Sequence, residues 1–288
     1  MMSIRFNLKR KVALRMFEEK RSHFVIGWMV GACIVSMFIL LQVTQNVLLL
    51  GVAMMLVFSI VLPGPFLRYH FKKRGLKLGQ VFFFRGTARW LLPVLGLTVL
   101  VMAFSISVYW LQLRGLMSIA PTAIELVFTP QPLPDALWYM VATGFILAVI
   151  APIAEEFLFR GLILNWLVAG FGFWKGIGLS SLIFGIFHIN FFGAFLFAVV
   201  ASLLYLKTSN LLLPILLHIF NNVIAIYQSF INPSFPQWLM VTSINDLYTK
   251  SVPNLIVLII SSALLLFVIV WLAKGLENKI EEVRLFWK

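Results

Sequence analysis

The 288-residue chain is 61% hydrophobic and 15% aromatic, with only 11% charged residues and a formal charge of +13. With a mean hydropathy of +1.00, it lies far from the balance of a soluble domain, about half apolar and a quarter charged, and that class is excluded. The composition is that of an integral membrane protein, and its single cysteine, Cys33, excludes an intrachain disulfide.

Taken in chain order, seven basic residues from Arg5 to Arg21 precede the first apolar stretch. Apolar stretches then follow at about 24–43, 46–64, 90–113, 137–153, 176–190, 193–206, 211–232 and 254–273. They predict an all-α, polytopic transmembrane bundle of about eight spans. Residues 24–43 have no small-residue cleavage site before them and read as a retained anchor. The short stretches at 176–206 predict a tight helical pair that turns at Asn190 to Gly193. Basic residues crowd the segments before the first span and between the second and third, and Lys175, Lys207 and the tail lysines fall on the same side. Only Arg114 and Lys250 fall opposite, in loops at about 114–136 and 233–253 that carry the turn formers PQPLPD and INPSFPQW. This asymmetry predicts both termini in the cytoplasm of a multi-pass cell-membrane protein. The positive charge is thereby assigned to topology and to anionic lipid, not to nucleic acid.

No polar stretch is long enough to bury a core of its own, so the chain is one integrated membrane domain with three parts. Residues 1–134 hold the basic segment and three spans, 135–232 the polar-bearing core helices, and 233–288 a loop, the last span and a tail of mixed charge. Between Asp135 and Asp246 the only acidic residues are Glu155 and Glu156, and the same interval holds Arg160, His188, His218, Asn221 and Asn222. Ionisable groups near a helix centre cost roughly 2.5–3.5 kcal/mol each on insertion scales, so such a set faces a protein interior or a wet cavity.

Helical spacing divides the labour. Glu156 and Arg160 in APIAEEFLFRG are four apart and share a face, while Glu155 is one step round the helix. If Arg160 neutralises Glu156, Glu155 is left as the carboxylate suited to general base work. SSLIFGIFHIN places Phe184 four residues before His188, and LLLPILLHIFNN places His218 four before Asn222. One carboxylate, two imidazoles and a carboxamide around a water suffice for amide hydrolysis: a base, donors for the oxyanion and an acid for the leaving amine. A zinc reading stays open, with Glu155, His188 and His218 as ligands, although no HExxH is present and zinc would leave Asn222 unexplained. A structural ion pair, interior histidines, a catalytically silent scaffold and a proton-coupled transporter are the competing readings of the same residues.

The three motifs, EExxxR, FxxxH and HxxxN, resemble those of the CAAX protease and bacteriocin-processing (Abi) family of intramembrane proteases, which includes the type II CAAX prenyl endopeptidases. The resemblance covers about residues 135–230 and includes Ala151, Pro152, Gly161, Ser180, Ser181 and Pro214. It implies a glutamate-dependent membrane endopeptidase whose eight-helix core opens a polar cavity to the cytoplasm or the lipid. By motif, Glu155 would activate water with His188, His218 and Asn222 would stabilise the oxyanion, and Glu156 and Arg160 would support them. It further implies no required cofactor, with zinc as the alternative, and a membrane-bound peptide or protein as substrate. The fourth span would bring Glu155 to its cytoplasmic end.

Overall fold

The computed structural model describes residues 47–57, 86–129 and 136–278, with isolated positions at 60, 64, 65, 68, 72 and 280. The predicted span at 24–43 with Cys33, the N-terminal basic cluster, most of the 65–85 loop and the end of the tail lie outside the described residues. Among the described residues every element is helical: α1 (Val47–Leu56), α2 (Ala88–Leu116), α3 (Pro121–Phe128), α4 (Leu137–Phe171), α5 (Phe173–Ile186), α6 (Phe191–Thr208), α7 (Leu212–Phe230), α8 (Asp246–Thr249) and α9 (Ser251–Ala273). Five helices there are long and apolar enough to cross a membrane: α2, α4, α6, α7 and α9, the last continuing to Asn278. α5, at 14 residues, is shorter than a full span.

α2 is the central post, with α6, α7 and α9 packed along it. Val94, Leu97, Val101, Met102 and Val108 face the interior, whereas Leu92 and Val99 are exposed. A helix apolar on both faces suits a position between protein and lipid. α6 is the most enclosed, with Val200, Ala201, Leu203 and Leu204 fully buried.

α4 departs from expectation. Instead of ending near residue 153, it runs for 35 residues to Phe171, about 50 Å at the usual helical rise. Glu155 and Glu156 therefore stand at its middle, not at one end. Hydropathy falls at the three charged residues although the backbone does not break there. α4 is not uniform: π-helical segments, Ile146–Ile150 and Phe157–Ile163, flank the Ala151–Glu156 turn that carries the glutamates. Such bulges concentrate at functional sites.

Each reversal has a local cause. Gly172, at φ +90°, ends α4 in a conformation that disfavours side chains. Asn190 starts α6: its Oδ1 accepts from Gly193 N at 3.1 Å, and its Nδ2 donates to Ser105 O and Oγ of α2 at 2.9 and 2.8 Å. The reversal between α5 and α6 occupies residues 187–190, so the turn expected at Asn190 to Gly193 is met at Asn190 only, and Phe191 to Gly193 already belong to α6. Asn210 accepts from Leu212 N at 3.1 Å and donates to Thr87 Oγ1 at 3.2 Å, tying the start of α7 to the start of α2.

Lys207 donates to the carbonyls of Trp271 and Lys274, and Trp174 to Glu277, so Lys175, Lys207 and Lys274 gather at one end of the bundle. At the other end Gln112 donates to Ile189 O, Trp110 to Leu247 O, and Arg114 lies 3.9 Å from the Tyr248 ring centroid. The 231–250 loop closes that end. Asp246 accepts from Thr242 N at 2.9 Å and pairs with Lys250 at 3.2 Å. Partial burial pushes the Asp246 carboxyl up, but the Thr242 and Lys250 contacts outweigh it and hold the group below its usual range.

α5 folds back on α4 at Gly176, where a Cβ would sit 2.5 Å from Val168 N and 2.6 Å from its Cα. Backbone cannot yield as a flexible side chain does, so Gly176→Ala costs about 1–3 kcal/mol. A thermal melt of the purified protein is expected to show a clear drop for Gly176→Ala and little change for Gly178→Ala, where a Cβ meets nothing within 4 Å.

Candidate active site

The site is assembled from α4, α5, α6 and α7. Glu156 and Arg160 are fully buried and joined by Nη1 to Oε1 at 2.9 Å. The same Oε1 accepts from His218 Nδ1, also at 2.9 Å, across from α7. One carboxylate oxygen thus holds a guanidinium and an imidazole together, a charge-assisted arrangement that offsets the cost of burying the ions. His218 turns its other nitrogen, Nε2, toward Glu155 Oε2 at 3.9 Å. Glu155 is about one-third exposed, yet its Oε2 is buried and meets no hydrogen-bonding partner among the described residues. The two adjacent glutamates therefore occupy different environments.

His188, at the end of α5, lies with Nδ1 2.8 Å from Phe184 O. A carbonyl only accepts, so Nδ1 carries the proton and a neutral ring leaves Nε2 as its acceptor. Asn222 Nδ2 donates to Leu147 O of α4 at 2.8 Å, and Asn221 Oδ1 is buried without a partner among the described residues.

A cavity of about 330 Å³ adjoins this cluster, lined in part by His188, His218, Asn221 and Asn222. Its remaining wall comes largely from α2, through residues such as Met102, Ser105 and Tyr109, and from Met240 and Val241 of the 231–250 loop. The structure thus brings His188, His218 and Asn222 to one cavity. Glu155 is not part of its lining and approaches it through His218.

The sequence marks Phe184 only by its place four residues before His188. Its ring stacks on His188 at 4.4 Å between centroids, lies 4.7 Å from Arg160 Cζ and meets His218 edge-on at 5.8 Å. The FxxxH spacing was the available signal. Phe197 of α6, 4.8 Å from His218, had none, being one of 28 phenylalanines. The contribution of α2 was equally hidden, because Ser105 and Tyr109 lie in an ordinary apolar span.

For the zinc alternative the donor set is unfavourable. Among the described residues no three His, Cys, Asp or Glu side chains converge as metal ligands. Glu155, His188 and His218 do not form such a group, although each histidine holds Nδ1 on protein oxygen and keeps Nε2 open, as a ligating histidine does.

A buried carboxylate–imidazole cluster thus stands beside a cavity, inside a bundle of apolar helices. Residues 137–224 match the family model of Rce1-like type II CAAX prenyl endopeptidases. The membrane-embedded CAAX protease MroQ of Staphylococcus aureus (strain USA300) is 26% identical over 147 residues, 47% of this chain and 56% of that protein. The match thus spans little more than half the length of that relative. No solved structure matches the chain. The family-model match falls on the helices that carry the three motifs, and it is there that the chain is similar to CAAX proteases.

Removing Arg160 strands a buried carboxylate. Arg160→Met is expected to destabilise the protein by about 3–5 kcal/mol. Adding Glu156→Gln, which removes the stranded charge, should recover part of the loss in a thermal melt; a double variant no more stable than Arg160→Met would contradict the pairing.

Proposed function

We propose that this protein is an intramembrane endopeptidase that hydrolyses a peptide bond with water activated by Glu155. The observation that carries the reading is the unequal state of the adjacent glutamates. Glu156 is fully buried with its Oε1 committed to Arg160 and His218, and its Oε2 lies unpartnered among the described residues in that closed cluster; Glu155 is about one-third exposed and keeps a buried, likewise unpartnered oxygen on the side of His218 Nε2. Buried polar atoms are ordinarily paired, and an unpaired carboxylate oxygen is suited to holding a water.

Glu155 takes a proton as the water oxygen attacks the substrate carbonyl carbon. Charge moves to the carbonyl oxygen, where Asn222 Nδ2 and His218 Nε2 are the donors. His218 can donate there only with both nitrogens protonated, and the Glu156 carboxylate at Nδ1 compensates that charge while Glu155 holds the proton taken from water. Collapse of the tetrahedral species breaks the C–N bond. The proton held by Glu155 passes to the leaving amine, with His188 Nε2 as the adjoining base, leaving a carboxylate and an amine. No metal enters this sequence.

The substrate is a membrane-associated peptide or protein, either lipidated and CAAX-like or resembling a bacteriocin or pheromone precursor. The largely apolar walls of the cavity, including Val101, Ile106 and Ala194, support an apolar segment beside the scissile bond. Anionic lipid at the basic end of the bundle orients the protein.

The test is cleavage of membrane-tethered peptides by the purified protein in lipid nanodiscs. Glu155→Gln should lower turnover by about 10²-fold or more, and Asn222→Ala by about 10²-fold. Full turnover by Glu155→Gln would falsify the mechanism. Stoichiometric zinc that leaves together with activity on chelation would replace it with the zinc-dependent one.

A further inference from the structure

The contact between Asn222 and Leu147 has a cause elsewhere in α4. In the first π-helical segment the Ala151 N–H donates to Ile146 O, five residues back. Continued by one residue, the same pattern would take the next backbone nitrogen to Leu147 O. That nitrogen belongs to Pro152 and carries no hydrogen. Leu147 O is therefore an acceptor that the helix backbone does not serve, and an unserved carbonyl within a membrane span is costly. Asn222 Nδ2, 75 residues away on α7, supplies the donor at 2.8 Å.

We infer that Pro152 is a positioning residue for Asn222: by withholding a backbone N–H from Leu147 O, it creates the acceptor that fixes the Asn222 carboxamide. The consequence is chemical as well as structural. A primary carboxamide can present either oxygen or nitrogen to a neighbour. A carbonyl partner selects the nitrogen and so settles which way the group faces. One of the two N–H bonds is then committed to Leu147, and the other remains to donate into the cavity that Asn222 lines. The second π-helical segment is braced in a related way, with Asn165 Nδ2 donating to Arg160 O and Gly161 O at 2.9 and 2.8 Å. There the carboxamide belongs to α4 itself; at Leu147 it comes from another helix and carries the proposed oxyanion donor with it.

This inference rests on the oxyanion role proposed for Asn222, so its test has one arm that needs no catalysis. Pro152→Ala restores an N–H at residue 152, which can serve Leu147 O without Asn222. Asn222→Ala is expected to lower the melting temperature by a few degrees, and adding Pro152→Ala should return most of that loss. A double variant that melts no higher than Asn222→Ala overturns the tie. In the cleavage assay Pro152→Ala alone should lower kcat about tenfold with KM unchanged, since small misplacements of a catalytic group have effects of this order. In the Asn222→Ala background it should lower kcat no further, a non-additivity that general damage to α4 would not produce. Equal losses in both backgrounds, or undiminished turnover by Pro152→Ala, overturn the positioning role. Full turnover by Asn222→Ala overturns the oxyanion reading itself, and the melting arm still reports on the tie.

Discussion

The site depends on one oxygen. Glu156 Oε1 accepts from both Arg160 and His218 at 2.9 Å, in surroundings where an uncompensated carboxylate would be driven out. Burial makes each of the three groups intolerable alone and tolerable together. The contact also sets direction. With Nδ1 committed to Glu156, His218 can present only Nε2 to Glu155, and α7 is held in fixed rotation against α4. Phe184 and Phe197 enclose the guanidinium and the imidazole between aromatic rings, which excludes competing partners and adds cation–π attraction.

α4 shows how such a cluster is accommodated in a helix surrounded by apolar neighbours. A regular α-helix offers an i, i+4 face, which suffices for Glu156 and Arg160. Packing the long helix against α7 is accompanied by π-helical segments on both sides of the glutamates, and each loosens the regular backbone ladder. Carboxamides restore the missing donors, Asn165 from within the helix and Asn222 from across the interface. Polar residues that read as isolated anomalies in an apolar sequence are thus partly backbone repairs, and at Asn222 repair and proposed chemistry coincide.

Helix-level order was legible wherever its cause is local. Gly172 and Asn190 mark reversals because glycine tolerates positive φ and asparagine caps a helix through its own side chain. The α5–α6 reversal was readable near Asn190 for that reason, although the turn precedes that residue where the sequence placed it after. The extent of α4 was not: hydropathy registers Glu155, Glu156 and Arg160 as a break, whereas Glu156 and Arg160 neutralise each other and Glu155 is partly exposed, neither of which a hydropathy window contains. The crowding of basic residues toward one end of the bundle was readable from their positions, because span order brings Lys175, Lys207 and Lys274 together.

The sequence by itself determined that this is a helical membrane protein with a rare polar set on its core helices, and that Glu156 and Arg160 share a helix face. Composition and i, i+4 spacing are properties of the chain and need no partner. Only the tertiary structure decided that His218 joins Glu156 from 62 residues away, that α2 completes the cavity wall and that Asn222 answers a carbonyl left open at Pro152. Those contacts arise where separate helices meet, and their geometry depends on close packing at residues such as Gly176 and Gly193, which hydrophobic periodicity does not encode.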